Sequence, residues 1–262
     1  MTKTATTNAW INIPKPNAQA RVRLFCFPYA GGGAFEYRAW AYGVPPEVEI
    51  GAIQLPGREA RLRETPFTKL HELCETLAQA LAPYLDKPFA FFGHSLGAFI
   101  TFELIRQLRR QNRALPVRLF VSGARAPQIP NPYPPVYHLP DDELIRAVSV
   151  RYGGIPDEIL QNAELLAILL PALRADFAMS DTYVYADEEP LDCPIFCFGG
   201  LQDCSAPAGH LQAWREQTRS AFALKMFCGD HFFLKASRIP LLQVLCGYLN
   251  KDVLTNGCVT QI

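Results

Sequence analysis

The chain has 262 residues, 49% of them hydrophobic and 19% charged, with 25 basic residues against 25 acidic ones. That balance leaves no basic excess of the kind nucleic-acid binding needs, and no run reaches the ~20 apolar residues of a membrane span. The length suits one α/β domain with an insertion, able to bury a full core.

Residues 1–12 are Thr-rich and polar, with Trp10 and Ile11 the early apolar residues, so no signal peptide is read and a cytoplasmic location is expected. Val22-Arg23-Leu24-Phe25-Cys26-Phe27 reads as the first strand. It runs into Pro28-Tyr29-Ala30-Gly31-Gly32-Gly33 and then a helix over 34–42. Three glycines between strand and helix leave backbone N–H groups free to face a developing negative charge. A phosphate cradle is the other reading, but neither Gly-Lys-Ser/Thr nor Gly-x-Gly-x-x-Gly is present. A second strand over 48–55 closes at Pro56-Gly57. Arg58, Arg61 and Arg63 cluster beyond it, either as a solvated loop or as a surface for an anionic substrate or partner. Leu70, Leu73, Cys74, Leu77, Leu81, Tyr84 and Leu85 then recur at helical steps, with His71 on the outer side.

The apolar run 89–92 leads into Gly93-His94-Ser95-Leu96-Gly97 and an apolar helix through Phe99, Phe102, Leu104, Ile105 and Leu108. A serine hydroxyl becomes a useful nucleophile when a tight strand-to-helix turn holds it in the open, and that turn crowds the backbone on both sides of the serine. Glycine at 93 and 97 meets the demand. Residues 117–123 give another strand. The alternation of strands and helices argues for a mostly parallel sheet covered on both faces.

The pattern then changes. Five prolines fall between 126 and 135, and residues 141–179 have only helical periodicity, with Pro171 expected to kink or split the second helix. That helix is apolar around more than one face. It is either buried on several sides or a lid that presents side chains such as Leu169 and Phe177 to an acyl chain. The sheet resumes over 193–200, followed by the loop 201–207, a helix over 208–217, a strand over 222–227, Gly229-Asp230-His231 and a helix over 239–248. The polar tail from Asn250 is expected to be loose. The expected architecture is an α/β-hydrolase fold, a mostly parallel sheet with helices on both faces, in which 1–125 and 191–262 form the core and 126–190 a helical lid.

Ser95, Asp203 and His231 stand after three different strands, in the serine, acid, histidine order of α/β-hydrolases. His231 would take the proton from Ser95 and Asp203 would orient the imidazole. Asp230 adjoins His231 and is the weaker candidate, since an immediate neighbour rarely reaches the far ring nitrogen. The oxyanion donors are expected from the backbone N–H of Leu96 and Ala30. Of the eight cysteines, Cys26, Cys193, Cys197 and Cys228 fall in apolar strand-like runs and Cys74 and Cys246 in helical ones, leaving Cys204 and Cys258 as the exposed thiols. No Cys-x-x-Cys pair suggests a metal site.

Phe27-Pro28-Tyr29-Ala30-Gly31-Gly32, Gln54-Leu55-Pro56-Gly57-Arg58-Glu59, Gly93-His94-Ser95-Leu96-Gly97, residues 199–203 and Gly229-Asp230-His231-Phe232-Phe233 resemble the type II thioesterases of nonribosomal peptide and polyketide synthases. So do Tyr152-Gly153-Gly154-Ile155-Pro156 and Leu173-Arg174-Ala175-Asp176-Phe177. One departure is Tyr29, where relatives often carry histidine. The resemblance implies a stand-alone hydrolase that clears acyl or aminoacyl groups from the phosphopantetheine arm of carrier-protein domains, with no bound cofactor or metal. Tyr29, Arg58, Leu169 and Phe177 are the expected substrate or carrier contacts, and a monomer is the simplest state. The residues themselves leave open a general carboxylesterase or lipase acting on free esters, and a non-catalytic synthase-docking protein.

Overall fold

The computed structural model describes residues 8–253, with helices and strands in alternation around one seven-stranded sheet. The strands are β1 (Ile11–Asn12), β2 (Val22–Phe27), β3 (Val48–Ile53), β4 (Phe89–His94), β5 (Arg118–Ser122), β6 (Ile195–Gly200) and β7 (Phe222–Phe227). Their order is β1-β3-β2-β4-β5-β6-β7, with β1 antiparallel to β3 and every other pairing parallel. From β2 to β6 the strands are buried along their whole length, because helices cover both faces.

One face carries α1 (Leu70–Leu81) and α2 (Leu96–Arg110), which pack Leu77, Leu104 and Leu108 against Phe25, Phe91 and Leu119. The insertion contains α3 (Asp141–Tyr152), α4 (Asp157–Leu160) and α5 (Ala163–Asp181). After β6 come α6 (Ala208–Gln212), α7 (Phe233–Ala236) and α8 (Arg238–Val253). On the opposite face, Trp40 from a 3-10 stretch over Ala34–Tyr42 and Leu241 and Leu245 from α8 meet Leu24, Phe92 and Phe198. The insertion has a small core of its own in Val136, Leu144, Val148 and Phe177. Asn162 caps α5, its side chain accepting from the N–H groups of Glu164 and Leu165.

β2 is followed by β3 on one side, while β4 and β5 continue on the other. Loops leaving the carboxyl ends of β2 and β4 therefore diverge and open the crevice in which doubly wound sheets bind ligands.

Several expectations need correction. β1 is an additional edge strand, too short to show any period. Pro171 does not split α5, which is continuous through it. α8 continues to Val253, so the segment from Asn250 starts as helix, and residues 254–262, Cys258 among them, lie outside the described residues. Cys228 is exposed because β7 ends one residue earlier, at Phe227. Among the described residues all seven cysteines are free.

Candidate active site

β4 ends at His94, and Ser95 follows at φ 54° and ψ −116° before α2 begins at Leu96. A non-glycine residue held there stores about 1–3 kcal/mol of strain. Its N–H donates to Ser122 O on neighbouring β5 at 2.8 Å, which fixes the turn from outside. A Cβ on Gly93 would lie 2.1 Å from Gly97 O, and one on Gly97 would lie 2.3 Å from Phe27 O at the end of β2. Both glycines are therefore required by contact, and the second brings the serine beside the glycine turn that follows β2.

His231 comes from the loop after β7, and Asp203 from the loop after β6. Asp203 Oδ2 lies 2.9 Å from His231 Nδ1, with both side chains buried. Ser205 adds two contacts: its hydroxyl donates to Asp203 Oδ1 at 2.6 Å, and its oxygen lies 3.1 Å from His231 Nδ1. The backbone N–H of Ser205 donates to the same Oδ1 at 2.9 Å. Burial alone would push the Asp203 carboxyl up, but the hydrogen bond and charge of His231 and the Ser205 donors outweigh it and hold the group below the usual range. Asp230 is exposed and accepts from Phe232 N at 2.8 Å, so its carboxylate serves its own turn.

His94 is fully buried beneath the site. Its ring centroid is 5.0 Å from that of His231, and its Nδ1 lies 2.9 Å from Ser122 Oγ. Burial, then the neighbouring His231, drives its pKa well below the ordinary histidine value. It is a neutral packing ring, and a positive charge arising on His231 meets no second imidazolium.

The loop after β2 is a tight turn. Gly32 N donates to Tyr29 O at 2.9 Å, and Gly31 takes φ +79°, a value suited to the third position of a type II turn and to glycine. Among the described residues neither Ala30 N–H nor Leu96 N–H has an acceptor. Gly31 N–H does have one, the carboxylate of Asp176 on α5, at 2.7 Å.

Ser95, His231, Ala30 and Tyr29 line one small cavity of about 60 Å³ with Tyr152 and Phe177 from the insertion. Tyr152 lies over the histidine, ring centroids 4.9 Å apart. Next to it is a cavity of about 450 Å³ that shares Tyr29, Ala30, Gly154, Ile155 and Leu173 with the first; Ile159, Leu166, Leu169 and Leu170 of the insertion line it, as do Phe35, Glu36, Arg58 and Lys235 from outside the insertion. The helix α5 thus spends its extra apolar face on a cavity wall, with Leu165 and Ile168 left exposed. Of the expected contacts, Tyr29 lines both cavities, Leu169 the larger one and Phe177 the smaller one.

Two members of the arginine cluster are buried and paired within the protein. Arg58 is 4% exposed and forms a fork with Asp176, and buried Arg61 is held by Glu64 and Gln54 O, leaving Arg63 as the exposed member. Arg58 borders the larger cavity as a structural cation. Burial works against its charge, yet Asp176 keeps its pKa above the ordinary arginine value. Asp176 and Ser205 are the site-side residues that sequence reasoning missed. The available signal for Asp176 was one carboxylate between Ala175 and Phe177 in an apolar helix, where burial requires a paired cation.

A parallel sheet with a strained serine after β4, an acid after β6 and a histidine after β7 defines the α/β-hydrolase class. The Thioesterase domain family matches residues 22–247, and the chain belongs to that family. It is a thioester hydrolase. The chain is 45% identical over 249 residues to the gramicidin S biosynthesis protein GrsT of Aneurinibacillus migulanus, covering 95% of this chain and 97% of GrsT. It is 37% identical to thioesterase PikA5 of Streptomyces venezuelae, over 86% of this chain and 80% of PikA5. Among solved structures, the type II thioesterase BorB from the borrelidin biosynthetic cluster superposes with a TM-score of 0.82 at 31% identity, covering 93% of this chain and 97% of BorB.

Proposed function

We propose that the enzyme is a stand-alone editing thioesterase that frees acyl or aminoacyl groups from the phosphopantetheine arm of carrier-protein domains in a nonribosomal peptide or polyketide synthase. The observation that carries the reading is the Asp203 carboxylate 2.9 Å from His231 Nδ1, with His231 and Ser95 lining a cavity that shares residues with a larger, mostly apolar one. The likeness to GrsT and BorB over nearly their whole lengths supports the substrate class.

In this reading Ser95 Oγ attacks the thioester carbonyl while His231 Nε2 takes its proton, and Asp203 holds the resulting imidazolium through Nδ1. The carbonyl oxygen becomes an oxyanion facing the N–H groups of Leu96 and Ala30. Collapse breaks the C–S bond, the departing thiolate takes the proton from His231, and the acyl group stays on Ser95. Water, deprotonated by His231, then attacks the acyl-serine, the bond from the acyl carbon to Ser95 Oγ breaks, Oγ takes the proton back from His231, and the acid is released. Residues 126–190 act as the lid, with Leu169 and Leu173 beside the acyl chain. The reading places the enzyme in the cytoplasm as a monomer that holds no cofactor of its own, and the seven free cysteines suit a reducing compartment.

The test is free-thiol release from an acyl-loaded carrier protein, with Ser95→Ala as the blank and the same acyl group on a small thiol as the comparison. Release that needs Ser95 and runs faster from the carrier is expected. Release that survives Ser95→Ala, or that shows no carrier preference, would remove the editing assignment.

A further inference from the structure

Asp176 has no surface exposure, yet its carboxylate is fully committed: Oδ2 accepts from Gly31 N–H at 2.7 Å and from Arg58 Nη1 at 2.5 Å, and Oδ1 accepts from Arg58 Nη2 at 2.9 Å. Arg58 Nη1 also donates to Gly32 O at 3.1 Å. One ion pair therefore grips two peptide groups of the glycine turn, Ala30–Gly31 and Gly32–Gly33, and the carboxylate comes from α5 of the insertion. On the same helix, Leu173 Cδ1 lies 3.0 Å from where a Cβ on Gly31 would be.

The peptide planes show what this grip controls. Tyr29 O and Ala30 N–H belong to one planar trans unit and point in opposite directions, so the bond from Gly32 N to Tyr29 O aims Ala30 N–H away from the turn. That bond closes the turn, and Gly31 N–H lies in its central peptide. Type I and type II turns differ by a flip of that central peptide. The flipped state would turn the Ala30 carbonyl toward the Asp176 carboxylate, where two acceptors repel. With Asp176 in place, the N–H faces the carboxylate and one turn is selected; both turn types keep the closing bond, so what the grip adds for Ala30 N–H is a fixed position of the turn against the rest of the site.

We infer that Asp176 is a positioning residue for the oxyanion site: with Arg58 it holds Gly31 N–H and Gly32 O and so anchors to α5 the turn that presents Ala30 N–H, and the donor is held in place beside Ser95 only while α5 is seated. The inference rests on the proposed acyl-Ser95 reading, with Ala30 N–H as one oxyanion donor.

The experiment compares wild type, Asp176→Asn, the doubly apolar Asp176→Leu/Arg58→Leu and Ser95→Ala. Asp176→Asn leaves Arg58 buried beside a neutral amide and can lose stability for that reason, whereas the double variant removes both charges and so keeps the fold. For each, kcat and KM are measured on an acyl-loaded carrier. Affinity is also measured for an alkyl boronic acid, whose tetrahedral serine adduct carries the oxyanion, and for an uncleavable acyl thioether that mimics the bound substrate. A mispositioned donor should lower kcat and boronate affinity by about 100-fold, with KM and thioether affinity within about threefold. The folded double variant should show the same split. Retention of kcat and boronate affinity in that variant, or an equal loss of boronate and thioether affinity, would overturn the inference while leaving the Ser95 chemistry standing. Full hydrolysis by Ser95→Ala would overturn the underlying reading and this inference with it.

Discussion

At position 95 the backbone holds a conformation that glycine would adopt freely, and three contacts keep a serine in it: the close approach at Gly93, the close approach at Gly97 and the bond to Ser122 O. The acid is constrained just as closely, because Ser205 gives Asp203 a hydroxyl and an N–H donor and also faces His231 Nδ1. Asp203→Asn should reduce turnover by several orders of magnitude through the wrong imidazole tautomer, while Asp230→Asn, altering an exposed turn residue, should cost less than about threefold; steady-state hydrolysis rates decide between the acids. Ser205→Ala should lower kcat roughly tenfold, the loss expected from one hydrogen bond of about 1–1.5 kcal/mol to the charged pair, and should change KM little. Ser95, Asp203 and His231 were legible because each follows a strand and the three stand in a recognisable chain order. Asp176 was not, because its partner Arg58 lies 118 residues away and nothing in a periodicity pairs them. Ser205 went unread for the opposite reason: a serine two residues after an aspartate is ordinary turn chemistry.

Among the elements, the insertion is fastened at several places. Arg174 of α5 donates to Tyr137 O and Leu139 O, Asp181 at its end accepts from Val136 N at 2.7 Å, and Asp176 ties it to the glycine turn. The chain leaving α5 is clamped to α2 by Glu188, which meets Arg106 at 2.8 Å, Arg109 at 3.0 Å and Arg110 at 2.6 Å. Partial burial pushes the Glu188 carboxyl up, but its three arginine partners outweigh this and bring its pKa down to about 2. A depressed carboxylate stabilises above its unfolded pKa of about 4.3, and this contribution fades as the pH falls toward the folded value. Thermal melts of Glu188→Gln should therefore lie below wild type at neutral pH, and the gap should narrow between about pH 4 and pH 2. The long helices were legible by their period, and the central strands as short continuous apolar runs, since both of their faces are covered. β1, with two residues, is too short to read, and the continuity of α5 through Pro171 was hidden because a local rule about proline takes no account of the buried residues from Ala172 to Met179 that hold the half of the helix after it.

For the whole molecule, the divergence of β2 and β4 decides where chemistry can happen, and the insertion decides what reaches it. The larger cavity takes much of its apolar wall from the insertion, and if the acyl chain lies there, as the proposed reading has it, chain-length preference belongs to that wall. Leu169→Trp should reduce turnover of long acyl chains by at least about tenfold and of acetyl groups far less, read as kcat/KM over a series of chain lengths. The parallel sheet was legible in the alternation of elements, whereas cavity shape depends on how α3 and α5 lie over the sheet and has no signature along the chain. The shared carboxylate also bears on protein engineering. Residues 126–190 are not a cassette, because one end of the ion pair that shapes the glycine turn is in the insertion and the other is in the core. A chimera that imports a foreign insertion for a new acyl preference must import a compatible pair at positions 58 and 176, or it will inherit the donor's pocket without a working anion site.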